Sequence, residues 1–188
     1  PPILGGKGLN YEHGAHDAVV RGRTFEDMTS GVYVNGHPGS HVTGEVKGVT
    51  GIRGSELHMK FCRSAMTFGV LDGGAGIPDD PSLLQAVFSN ITYHNCGHAP
   101  LRIVGTDQQK SGVLNLMGAY GVTISDVRGR NDADYVTQHG GYPTDYAARV
   151  GYGLSGPIGA VIWGHARATK ISNWTHHGDA DKAVHIGR

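Results

Sequence analysis

Apolar residues in this chain come in short runs, rich in Val and Ile, that often alternate with polar ones. Gly31-Val-Tyr-Val34, Leu101-Arg-Ile-Val104, Asp134-Tyr-Val136 and Ala183-Val-His-Ile186 are examples. A period of two over a few residues, closed by Gly, Asn, Asp or Pro, predicts β-strands. Nowhere does an apolar stripe at i, i+3, i+4, i+7 persist for three turns with a cap. At most one helical turn is predicted, at Leu83-Leu-Gln-Ala-Val-Phe88. The chain reads as all-β.

The strand pattern repeats. Phe88–His98, Ile124–Asp134 and Ile171–Asp181 superimpose without a gap, at offsets of 36 and 47 residues. Each opens with an apolar residue, a polar one, then Asn or Asp. Val20-Arg-Gly and Val42-Thr-Gly fit the same opening with Gly in the third place. Starts at Val20, Val42, Phe88, Ile124 and Ile171 imply a unit of about 22–24 residues. Weaker members are then expected near Ser64–Met66 and Ala147–Val150, with an outward loop at Thr106–Gly112. A unit reused in this way points to a stack, or solenoid.

Composition favours that reading. The hydrophobic share is 38%, and 31 of 188 residues are Gly. A stack needs only a few inward residues per coil and several tight corners, which Gly supplies by tolerating positive φ. The length suits one domain, residues 1–188. Sixteen basic and 16 acidic side chains give zero formal charge, and no basic stripe is visible, which disfavours nucleic acid as a partner. No apolar run reaches the ~20 residues of a membrane span, and no signal-peptide pattern is present. Cys62 and Cys96, 34 residues apart, exclude a disulfide-rich scaffold and a Cys-type zinc site. Pro1-Pro-Ile and Gly187-Arg188 lack capping character. A stack ending on them is expected to be part of a longer chain or to associate end to end.

The openings at Val20, Val42, Phe88, Ile124 and Ile171, with Gly22, Gly44, Asn90, Asp126 and Asn173 at the turn position, resemble the pectin-lyase-like superfamily. The resemblance implies a right-handed single-stranded parallel β-helix of about eight coils. That superfamily includes polysaccharide lyases, glycoside hydrolases and phage tailspike depolymerases. It therefore implies an extracellular or virion-surface protein that binds, and as an enzyme cleaves, a polysaccharide. The alternatives are a trimeric tailspike or bacterial adhesin recognising surface glycans, and a structural solenoid without activity. The polygalacturonase signatures and a pectate-lyase set of calcium aspartates are absent, so no catalytic residue transfers from the family one by one.

Equivalent residues of successive coils stack about 4.8 Å apart, so the repeat predicts surface columns. Asn90, Asp126 and Asn173 form one, expected to be a structural ladder at a turn. In a second set His94 aligns with Arg130 and His177, Cys96 with Asp132 and Asp179, and His98 with Asp134 and Asp181. The two members of each Asp-x-Asp share a face, and with one coil between them the pairs would lie ~10 Å apart. Adjacent carboxylates can divide acid and base roles in glycosidic cleavage. Together with backbone carbonyls, Asp132, Asp134, Asp179 and Asp181 can instead hold calcium. Beside such an ion, Arg130 or a histidine (His94, His98, His177) would stabilise charge or take the α-proton of a uronic acid. The plain alternative is a set of solvated Asx corners. Tyr135, Tyr142, Tyr146, Tyr152, Trp163 and Trp174 crowd the last third and offer flat faces to sugars, although Trp174 aligns with Ile91 and Val127 and so fits a packed column. Gln138–Tyr146 breaks the repeat and reads as a loop beside the aspartate rows.

Overall fold

A computed structural model describes residues 5–12, 14–35, 49–62, 64–69, 82–97, 112–117, 119–132, 158–163, 168–178 and 182–187. Every regular element among them is a strand, in the order β1 (Gly5–Glu12), β2 (Val19–Glu26), β3 (Met28–Asn35), β4 (Val49–Lys60), β5 (Ser64–Gly69), β6 (Ser82–His94), β7 (Gly112–Met117), β8 (Ala119–Asn131), β9 (Ile158–Trp163), β10 (Lys170–Gly178) and β11 (Lys182–Gly187). The single helical turn expected at Leu83–Phe88 is part of strand β6.

The strands alternate between two sheets. The odd strands form one, in the order β1-β3-β5-β7-β9-β11, and the even strands the other, β2-β4-β6-β8-β10. Every pairing is parallel. Parallel neighbours need a long connection, and here that connection is a strand of the opposite sheet.

The register sets the true length of the repeat. Val20 pairs with Gly54, Gly54 with Phe88, Phe88 with Ile124 and Ile124 with Ile171. Returns to the even sheet therefore take 34, 34, 36 and 47 residues, not 22–24. The shorter spacing holds only at two steps of the odd sheet, Gly5 to Met28 and Ile158 to Lys182. The fifth opening is Gly54, not Val42, which lies outside the described residues. The weak member expected near Ser64–Met66 is β5, in the other sheet. No strand lies between Ile124 and Ile171 in the even sheet, because β8 and β10 bond directly. The gap-free alignment of Phe88, Ile124 and Ile171 is the observed register.

Three columns of left-handed residues mark the even strands and their ends. Gly22, Glu56, Asn90, Asp126 and Asn173 form the middle column. Asp17, Gly51, Gly121 and Ala168 precede it, and Asp27, Phe61 and Asn95 follow it. The flanking residues still reach the next strand: Asp17, Asp27, Phe61 and Asn95 donate their N–H to the carbonyls of Thr50, Lys60, His94 and Arg130 at 3.1, 3.1, 3.0 and 2.9 Å. In the middle column Asn173 Nδ2 donates to Asp126 Oδ1 at 3.0 Å, as the expected ladder requires.

The core lies between the sheets. Val32, Val34, Met66, Phe68, Leu114 and Leu116 from the odd sheet meet Leu57, Met59, Phe88, Ile91, Ile124 and Val127 from the even one. Phe68 and Phe88 touch edge to face, with centroids 5.4 Å apart. On the same inner side, Tyr93 lies across Gly129 of the next strand, where a Cβ would fall 2.3 Å from the ring. Its hydroxyl then reaches β10, accepting from Trp174 Nε1 at 3.1 Å and bonding His176 Nδ1 at 2.5 Å. Trp174 packs against the core in the column of Ile91 and Val127, as expected. The tyrosine hydroxyl is pushed well above its ordinary pKa by burial.

Candidate functional site

Beyond the middle column, alternate residues of the even strands point away from the core. One row runs His58, Thr92, Arg128, Thr175, and the next runs Lys60, His94, Arg130, His177. Row members sit one strand apart, about 4.8 Å. The alignment of His94 with Arg130 and His177 is therefore a physical row.

Asp132 joins the row through a pair of asparagines. At the end of β8 the buried Asn131 side chain clasps the backbone of Cys96, accepting from its N–H at 3.0 Å and donating to its carbonyl at 2.9 Å. Buried Asn95 answers from the other strand, its Oδ1 accepting from the Asp132 N–H at 2.8 Å. This reciprocal clasp fixes the Asp132 carboxylate between two bases. Oδ2 lies 2.7 Å from His94 Nε2, and Oδ1 accepts from Arg130 Nη2 at 2.6 Å. Asn95 Nδ2 adds a longer bond of 3.4 Å to Oδ2. The hydrogen bond with His94, and then the charge of Arg130 and the amide of Asn95, hold the carboxyl below its usual range. An ionised carboxylate accepts only, so His94 Nε2 carries the proton. With the ring neutral, Nδ1 is a proton acceptor, the arrangement of an aspartate-oriented general base.

The neighbours extend the site. Phe61 lies 6.0 Å from the His94 ring, centroid to centroid, at an interplanar angle of 36°. Lys60 Nζ lies 5.0 Å from the Phe61 centroid and 3.1 Å from Glu26 Oε1. His58 Nδ1 meets Thr92 Oγ1 at 2.7 Å. Burial, then the nearby His94 and Lys60, pushes the His58 pKa down.

Of the residues singled out from the sequence, the structure brings together His94, Arg130 and Asp132, with exposed His177 next along the row. His98, Asp134, Asp179 and Asp181 lie outside the described residues, as does the Gln138–Tyr146 loop. The coil expected between the two aspartate pairs is absent: Gly178 pairs with Asn131, so Asp179 follows a residue on the strand directly beside β8. Among the described residues no group of three or more His, Cys, Asp or Glu side chains is placed to hold a metal. Among the described residues there is no helix long and apolar enough to cross a membrane.

Sequence reasoning missed Asn95, Asn131, Phe61 and Lys60. One signal pointed to two of them. Ser55 and Cys62 recur as Ser89 and Cys96 at the 34-residue spacing, which places Lys60 and Phe61 beside His94 and Asn95. Gly54 and Glu56 hid that match, because they replace the apolar opening and the Asn or Asp of the turn.

No protein-family model, no curated protein and no solved structure matches this chain.

Proposed function

We propose that the chain is a right-handed parallel β-helix that binds an acidic polysaccharide across the outer face of its even strands and cleaves it by β-elimination. Three features support the β-helix: strict alternation between two sheets, parallel pairing at every step, and aligned left-handed columns. Parallel crossovers are right-handed almost without exception. The observation that carries the activity is the Asp132–His94 pair set in a row with Lys60, Arg130 and His177.

A linear polymer of uronic acids carries one carboxylate per ring. Lying across the strands, it would meet a cation or histidine at each step. Arg130 or Lys60 would neutralise the carboxylate of the reacting sugar, which acidifies its α-proton. His94 Nδ1 would take that proton, the bond from the neighbouring carbon to the glycosidic oxygen would break, and a carbon–carbon double bond would form. Water would protonate the departing oxygen. A carboxyl held ionised beside a histidine suits this role better than that of the general acid of a glycoside hydrolase, which needs a raised pKa. Calcium would add a bridge to substrate carboxylates. Asp132 is the one described residue of its expected ligand set, so no step is assigned to it. Such a substrate places the protein outside cells or on a virion.

The test is incubation with acidic and neutral polysaccharides, followed by the ultraviolet absorbance of unsaturated product and by reducing ends. Lyase activity gives both signals with a polyuronate, and His94→Ala abolishes them while binding persists. Reducing ends without unsaturated product would mean hydrolysis. Binding without cleavage would mean a recognition protein of the tailspike or adhesin kind, and no binding at all would overturn the reading.

A further inference from the structure

Phe61 sits in the left-handed region, at φ 52°. Its column partners are Asp27 and Asn95, short polar residues that tolerate that conformation. A bulky aromatic there is a conformational outlier and carries a backbone penalty. The penalty is not repaid by full burial, because Phe61 remains partly exposed. Its ring stands next to His94, with Lys60, the last residue of β4, above it. An unfavourable backbone beside a charged cluster, where Asn or Asp would cost less, is the kind of compromise that binding imposes.

We propose that Phe61 is a sugar-stacking subsite, taking the flat face of one pyranose ring of the polymer next to the ring engaged by His94. An aromatic face matches the C–H face of a pyranose, and Lys60 Nζ beside it suits a ring that bears a carboxylate. Lys60, the residue before Phe61, pairs with His94, and the Phe61 N–H donates to the His94 carbonyl, so ring and base belong to neighbouring strands beside the cationic row. This subsite rests on reading the outer face as a polysaccharide site.

The experiment compares the wild-type chain with Phe61→Asn, Phe61→Tyr and His94→Ala, measuring thermal midpoint, binding of a polyuronate and of a neutral glucan, and unsaturated product. Asn fits the column, so Phe61→Asn is expected to hold or raise Tm, by up to about 4 °C, while polyuronate binding weakens about tenfold. Phe61→Tyr restores binding, because the flat face returns. Were Phe61 a packing residue instead, Phe61→Asn would lower Tm and leave binding in step with the loss of fold. Polyuronate binding equal to wild type in a stable Phe61→Asn protein overturns the subsite alone. Failure of the wild-type chain to bind polyuronate overturns the subsite and the functional reading together.

Discussion

Tyr93 and His94 are neighbours in the chain but serve opposite faces of the same sheet, as do Gly129 and Arg130 on β8 and His176 and His177 on β10. On the inner face, one aromatic ring lies over a glycine and ties its hydroxyl to two side chains on the second strand away. On the outer face, a carboxylate is suspended between a histidine and an arginine, both in reach of water. Burial makes the first arrangement a matter of shape, where a methyl group counts. Exposure makes the second a matter of charge, where little stability is at stake and most of the consequence is chemical. The shared backbone lets one strand hold a packed interior and a charged surface.

The largest expected effect breaks the inner side. Gly129→Val places a side chain inside the Tyr93 ring and should cost about 3 kcal/mol, lowering Tm by about 6–12 °C. A melting curve that is unchanged would show that the ring does not depend on that gap. Next comes Tyr93→Phe, which leaves Trp174 Nε1 and His176 without the hydroxyl and should cost about 1–2 kcal/mol, read by chemical denaturation. On the outer side, His94→Ala is expected to abolish polyuronate cleavage and Arg130→Gln to weaken polyuronate binding, each leaving the melting temperature nearly unchanged. A large fall in stability from either would mean that the outer cluster is structural and would erase the contrast. The smallest effect is in pH. The folded Asp132 pKa lies below its unfolded value, so the group favours folding above the unfolded pKa, near 4, and that contribution disappears as pH falls through the folded pKa. Asp132→Asn should therefore lower stability slightly at neutral pH and flatten the acid limb of the profile below about pH 4.

The strand content, the parallel stacking and the alignment of Phe88, Ile124 and Ile171 were legible in the sequence, because an apolar opening followed by Asn or Asp at a left-handed turn is a strong local signature. His94, Arg130 and Asp132 emerged by reading down that alignment. The period was not legible. Val42-Thr-Gly imitates the opening, whereas Gly54-Ser-Glu, the true member, has lost its apolar residue because the Phe88 ring occupies the space beside Gly54. Glu56 also adopts the left-handed turn despite a side chain that does not advertise it, aided by Arg21, whose Nε and Nη2 grip its carboxylate at 2.9 and 2.6 Å. The Asn95–Asn131 clasp escaped notice for a different reason: it is reciprocal between two strands, and neither asparagine alone differs from an ordinary turn residue.

The returns to the even sheet lengthen from 34 to 47 residues while the strands stay in register. In entropic terms the difference is slight. Closing a connection of 47 residues rather than 34 costs a few tenths of a kcal/mol, far less than one misplaced side chain in the interior. Segments between the strands can therefore gain or lose a dozen residues at almost no cost to the stack. Grafting a foreign peptide between β8 and β9, with the left-handed column left intact, should yield a protein that melts almost where the parent does, which makes the scaffold a carrier for inserted loops.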